Sequence, residues 1–370
     1  MIDLKSINLK SLDVSMVKGM FKKKPERIGL HIGGGIARIV RLDRLPDDTM
    51  KLNGFVEVEF DLDNITKESS ERFKAAIRNV GGGLQRIAVN IEDPSLRIRR
   101  MVFAKMPEAD LMQAIKWNFR EHIEIPIEKY VVGYTPVAEE IDGNKLAIVA
   151  YGVAEEAVHS IVDLFKSLGL KVLSVEPVAT SILAAFNISN LLDDDNCHSC
   201  IVFGEEIANF IVMRHGEMLF SRPLAGINES SVVKQIVRDL NLSEADSKNL
   251  IVNWIVGEGK VDNVDEMGEG VFSKFEATMR HFYSQLVIEI QRSIDAFCIL
   301  YGVQSIESLR ISGLGVAYPG LIEHIEKTLA VKTSAFNPFE NILVEGLEKQ
   351  VGGSKMASFY SVAVGLAVPQ

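Results

Sequence analysis

IGLHIGGGIARIVRL, residues 28 to 42, sets two short apolar runs on either side of three consecutive glycines, Gly33, Gly34 and Gly35. Such a pattern predicts a β-hairpin whose turn comes close to a neighbouring group. Successive backbone N–H groups in a turn of this kind cradle phosphate oxygens. A working phosphate hairpin needs a carboxylate on its first strand to hold a metal ion or its water, and that place is taken by His31. The rest of the chain decides between a phosphate hairpin, a former one and a plain turn.

The theme returns in the second half. CIVFGEEIANFIVMRHGEMLFSRPLAG (200–226) again reads as strand, glycine turn, strand, turn, strand. SLRISGLGVAYPGLIEHI (308–325) reads as strand, glycine turn, helix. Between the two hairpins lies a β/α unit over about 95–175. It comprises a strand LRIRRMVFA, a helix over 107–123, and the strands YVVGYTPVAEEI and KLAIVAYGV joined through Asp142-Gly143. A helix over 154–168, ending at Gly169, and a strand KVLSVE complete it. Helices are expected over 230–240 and 274–301.

At 370 residues the chain is long enough for two or more full cores. The net charge of −10 argues against general nucleic-acid binding. No apolar run approaches the roughly 18 residues of a membrane span, and MIDLKSINLKSL lacks the apolar core of a signal peptide. With three cysteines, a reducing cytoplasm is expected. The acidic balance is broken at the start, where Lys5, Lys10, Lys18, Lys22, Lys23, Lys24 and Arg27 stand against Asp3, Asp13 and Glu26. This segment reads as a solvated tail or as one drawn to an anionic membrane face.

Two related halves that each open on a glycine hairpin resemble the actin-like ATPase architecture, a likeness of fold that says nothing of activity. More specific segments resemble the PilM family of type IV pilus assembly proteins, relatives of FtsA. These are MFKKKPERIGLHIGG, MPEADLMQAIKWNFREHIEIPIEKYVVGY, LFSRPLAG, EIQRSIDAF, YPGLIEHIEKTL, FNPFENI and SFYSVAVGLAV, in order and at family spacing. The resemblance implies an α/β, two-lobed actin-like ATPase fold with an inserted β/α subdomain in lobe one. It implies a basic extension over 1–26, lobe one over 27–195 with the insert at 95–175, and lobe two over 196–354 with a helical part at about 228–290. A C-terminal helix over 355–370 returns to lobe one.

The nucleotide motifs depart from the family pattern. His31 replaces the first aspartate, Arg38 stands at a lysine place, and Val202-Phe203-Gly204 replaces the second Asp-Ile-Gly. The adenosine-site glycines read Gly313-Leu314-Gly315. Mg²⁺ prefers hard oxygen ligands, which neither imidazole nor Val202 supplies. ATP turnover is therefore not expected. The vestigial nucleotide cleft is assigned to His31, Gly33, Gly34, Gly35, Arg38, Glu176, Gly204, Glu289, Arg292, Gly313 and Gly315. No cofactor is required, and binding of ATP or ADP without turnover stays open. Glu289 and Arg292 resemble ribose and adenine contacts, or form an i,i+3 ion pair. No metal site is expected. Cys197-x-x-Cys200 leads into a buried strand, residues 193–195 are a solvated acidic loop, and His281 is not placed as a ligand.

The resemblance implies a scaffold of the pilus assembly platform, cytoplasmic and peripheral at a bacterial inner membrane. Its partner is a PilN-like membrane protein whose N-terminal peptide lies along a strand edge. The groove is assigned to Leu111, Ile115, Trp117, Tyr130, Val132 and Tyr134. Other platform and motor components and self-association are further expectations. The rival readings are an active ATPase of the same machine and an FtsA-like filament protein. Ile7-Asn8-Leu9 resembles the partner's own peptide, which allows the tail to visit the groove or to be a plain leader.

Overall fold

A computed structural model describes residues 26–137, 143–192, 195–260, 269–351 and 353–369, with only the backbone of 2–3, 7–8 and 11–12 before them. The short pairs are strands β1 (Ile2–Asp3), beside Val175 and Ser174, and β2 (Ile7–Asn8) against β3 (Ser11–Leu12). Leu9, Asp142 and Asp193 lie outside the described residues.

Lobe one begins with β4 (Ile28–Gly33) and β5 (Ile36–Arg44), joined by a two-residue turn in which Gly34 (φ 63°) and Gly35 (φ 70°) are both left-handed. Two left-handed residues make the hairpin turn that matches strand twist, and glycine takes that conformation at no steric cost. Next come β6 (Met50–Glu59), α1 (Lys67–Gly81) and β7 (Arg86–Ile91). Thr66 and Ser69 form a capping box at the start of α1, and Gly82 closes its end.

The crossover from β7 to its parallel neighbour is interrupted by a separate antiparallel sheet. Its strands are β8 (Arg97–Ala104), β9 (Tyr130–Val137) and β10 (Lys145–Ala154), in the order β8-β10-β9, and α2 (Glu108–Arg120) covers one face. The chain then returns through α3 (Glu155–Ser167) and β11 (Lys171–Pro177) to the six-stranded sheet β1-β11-β7-β4-β5-β6. The insert is accordingly shorter than the 95–175 expected. Val158 and Phe165 of α3 pack in the lobe-one core, and β11 pairs parallel with β7. A parallel pair needs a helical crossover, which α3 provides.

After α4 (Val178–Ile188), lobe two holds β12 (His198–Phe203), β13 (Ala208–Arg214) and β14 (Glu217–Pro223). Helices α5 (Glu229–Leu240), α6 (Glu244–Val256) and α7 (Glu269–Tyr301) follow. Then come β15 (Ser308–Gly313), α8 (Leu321–Leu329) and β16 (Lys332–Ala335), and the sheet order is β14-β13-β12-β15-β16. Helix α6, absent from the sequence reading, starts at the Ser243 cap, whose hydroxyl accepts the Asp246 N–H.

The chain ends in α9 (Glu348–Val351), α10 (Ser354–Ser358) and α11 (Ser361–Ala367). Helix α11 is buried between β4 and α4. It comes so close that a Cβ on Gly29 would lie 2.0 Å from the Ala363 carbonyl oxygen. Beside lobe one's own core and the insert's, one apolar cluster runs across both lobes. Val40 and Leu52 of lobe one, Val137 and Val149 on the back of the insert, and Phe210 and Ile311 of lobe two belong to the same cluster. Arg100 of β8 lies over the Tyr301 ring at 4.8 Å, and the Leu343 segment of lobe two bonds to Met50 and Leu52 on β6. Among the described residues no helix is long and apolar enough to cross a membrane.

Candidate functional site

The two glycine hairpins face each other, and their contact is made by this chain's own carboxylates. The Gly34 N–H donates to Glu205 Oε2 at 2.8 Å, joining the turn of lobe one to the β12–β13 turn of lobe two. Glu229 opens α5 and accepts a hydrogen bond from the backbone of Leu314. One donor of the phosphate hairpin and one of the adenosine-type turn are thus satisfied internally. Glu206 accepts from Ser230 Oγ at 2.6 Å, and the Glu229 and Ser230 amides bond to the carbonyls of Gly204 and Glu205. The start of α5, a natural anion site, is filled by the neighbouring turn.

Charge in this cleft is poorly compensated. Burial, then the neighbouring Glu229, Glu205 and Glu206, push the Glu92 carboxyl up to about 7. Burial also raises Glu229 to about 7, with Arg38 opposing and Glu205 adding to the rise. Arg38 reaches Glu57 at 3.4 Å and lies 5.4 Å over the Phe359 ring. His31, paired with Arg38 across the hairpin, is lowered to about 3, first by burial and then by the Arg38 charge. It is a neutral imidazole at physiological pH, and its buried Nδ1 has no hydrogen-bond partner. Asn90 fixes the strand end by accepting the Ile32 N–H and donating to the Ile32 carbonyl.

The structure brings together His31, Gly33, Gly34, Gly35, Arg38 and Gly204, with Glu92, Glu205, Glu206 and Glu229 added. Glu176, Glu289 and Arg292 make their contacts elsewhere, while Gly313 and Gly315 border the cluster. Glu176 is fully buried and bonds Arg27 (3.1 Å) and Ser174 (2.6 Å) instead of facing the cleft. Only a paired carboxylate is tolerated at such burial, and Arg27 supplies the pairing. Gly313 and Gly315 leave room for Phe203. A Cβ on Gly315 would stand 2.4 Å from the Phe203 ring, and one on Gly313 2.3 Å from the Phe203 carbonyl. Glu289 ion-pairs with Arg292 one helical turn away and with Arg222 of β14.

The groove assignment is also corrected. Leu111, Ile115, Tyr130 and Val132 are buried as the insert's own core between α2 and the sheet. The Tyr130 ring fills the space over Gly152, and its hydroxyl donates to the Gly152 carbonyl. Tyr134 is half-buried, while Trp117 is 64% exposed with Arg120 stacked over it. Cys197 and Cys200 are buried thiols, and burial pushes Cys200 well up. His281 is exposed. Among the described residues no cluster of His, Cys, Asp and Glu could hold a metal ion.

Two lobes with opposed glycine hairpins, a connecting helix and a returning C-terminal helix define the actin-like ATPase fold. The family model described as type IV pilus assembly protein PilM matches residues 29–370, and the chain belongs to that family. Among solved structures it is similar to the PilM-PilN type IV pilus biogenesis complex, with 19% identity over 93% of this chain and 98% of that one and a TM-score of 0.77. It also matches the ethanolamine utilization protein EutJ from Carboxydothermus hydrogenoformans, with 8% identity over 94% and 91% and a TM-score of 0.49. A comparison with curated proteins gives no match.

Proposed function

We propose that this PilM-type pilus assembly protein is a non-hydrolytic scaffold. In this reading it sits peripherally at the cytoplasmic face of the inner membrane and docks the N-terminal peptide of a PilN-like protein. One observation carries the absence of turnover: the Gly34 and Leu314 backbone donors are engaged by Glu205 and Glu229. An incoming triphosphate would have to displace both carboxylates and enter a field set by Glu92, Glu205, Glu206 and Glu229. Like charges held a few ångströms apart at low dielectric repel strongly. With His31 neutral and Val202 apolar, neither of the two hairpin positions where the family carries an aspartate offers Mg²⁺ an oxygen ligand.

The partner reading is supported by family membership and by the PilN component of the similar complex. The exposed Trp117 on α2 and the outer edge of β9 offer an aromatic anchor and main-chain hydrogen bonds for an added strand. Other pilus components and self-association belong to the same reading. Phosphate release from Mg-ATP by the full chain is expected at background. The His31→Asp variant stays there too, because one restored carboxylate does not clear the cleft. Turnover by the wild type would overturn the proposal in favour of an active ATPase.

A further inference from the structure

Beside the glutamate cluster, the root of the insert, the start of α4 and the turn after β14 enclose a cavity of about 230 Å³. This is below the roughly 300–1,000 Å³ of small-molecule sites and suits one long side chain. Leu96, Ile98, Val178, Ile207 and Pro223 give it apolar walls, while its charged groups are Glu92, Asp93, Glu206 and Arg97. Arg97, at the wall of the cavity, donates to the carbonyls of Pro94 (2.6 Å) and Leu96 (2.9 Å) and has no carboxylate partner among the described residues. Glu206 is held by Ser230. Glu92 is mostly withdrawn from solvent, lines the cavity, and has neither hydrogen-bond nor ion-pair partner among the described residues.

We propose that this cavity receives one lysine or arginine side chain of a partner polypeptide, with Glu92 as its counter-ion. The aliphatic stem would lie along the apolar walls and the cationic head against the carboxylate, as long basic side chains do at interfaces. The charge around Glu92 demands such a guest. Glu205, Glu206 and Glu229 face it from lobe two. Asp93 follows it, and the Arg97 cation is engaged by carbonyls. A buried carboxylate without a partner is costly, and a cation removes that cost. The start of α4 also opens on the cavity at Val178 and would favour an anion, which makes inorganic phosphate the counter-probe. The inference goes beyond the scaffold reading and does not depend on whether ATP is turned over.

The test is calorimetric titration of the full chain with Ac-Ala-Ala-Arg-Ala-Ala-NH2 and with the same peptide carrying citrulline, which keeps the shape and loses the charge. At pH 8 the arginine peptide is expected to bind at least ~10-fold more tightly than its twin. Because the Glu92 carboxyl is raised to about 7, this preference should weaken as the pH falls to 6 and the acid becomes neutral. Glu92→Gln should make the two peptides equal. Should that variant fail to fold, Glu92→Asp serves in its place: it keeps the charge but shortens the reach, and should cut the arginine preference while retaining its pH dependence. Equal binding of both peptides by the wild type, binding of neither at millimolar concentration, or competition by phosphate would overturn the assignment.

Discussion

Replacing Gly365 by alanine tests how α11 is seated. Within a helix this change alone is favourable by roughly 1 kcal/mol. Here the added Cβ would lie 1.7 Å from the Ser181 carbonyl oxygen and 2.5 Å from its carbon, both backbone atoms of α4 that no rotamer change can clear. Ordinary contact begins near 3.4 Å, so the helix must back away by well over an ångström. Every residue of α11 is buried, and such a shift opens gaps along both α4 and β4. Overpacking against side chains costs about 1–3 kcal/mol. Against fixed backbone the upper end applies, which leaves a net loss of ~2 kcal/mol after the helix-propensity gain. The assay is urea unfolding followed by far-ultraviolet dichroism. Gly270→Ala is the control: it also lies in a helix, but its Cβ would meet nothing within 4 Å, so it should be neutral or stabilising. A Gly365→Ala protein as stable as the wild type, or an equal loss in Gly270→Ala, would refute the reasoning.

Three further outcomes are expected. The carboxyls of Glu92 and Glu229 are raised from 4.5 to about 7, so the folded state holds protons that the unfolded state has released. Stability should therefore fall as the pH rises from about 4.5 through 7, with His31, lowered from 6.5 to about 3, opposing the fall below 6.5 and leaving a net loss of a few kcal/mol; denaturant midpoints rising between pH 6.5 and 8 would contradict this. Arg27→Ala strands the buried Glu176 charge and should cost about 3–5 kcal/mol, while Arg27→Met combined with Glu176→Leu should cost less, as unfolding curves would show. Trp117→Ala should change stability by no more than about 0.5 kcal/mol, whereas Ile115→Ala should cost about 2–5 kcal/mol; equal losses would put Trp117 in the core.

The glycine hairpins, the two halves and the helices α2 and α3 were legible because each is written in local periodicity and turn chemistry. His31 was legible too, as the wrong residue type in a known place. What could not be read is what filled the cleft instead. Glu92 follows a lobe-one strand, Glu205 and Glu206 form a turn, and Glu229 opens a helix; only the closed topology makes them neighbours. The acidic pair in FGEEI was the one local sign. Glu176 was misplaced because its partner, Arg27, is distant in sequence and reads as the end of a basic tail. Leu111, Ile115, Tyr130 and Val132 were assigned to a groove because a helix stripe and a strand facing each other give the same pattern whether they close on themselves or stay open. Gly313 and Gly315 kept their spacing for Phe203, a packing reason that leaves the same mark as a ligand would.

The core shared by both lobes and the back of the insert has a consequence for how the molecule comes apart. A protein whose lobes meet only through linkers would unfold in steps and expose its connecting segment to proteases between them. Here Val40, Val149 and Phe210 lie in one apolar cluster, and parting the lobes would uncover it. Partial opening then uncovers apolar surface on both lobes at once, so half-open species stay scarce. Calorimetry should register one cooperative transition for the described lobes, and native proteolysis should spare the stretch around Pro177.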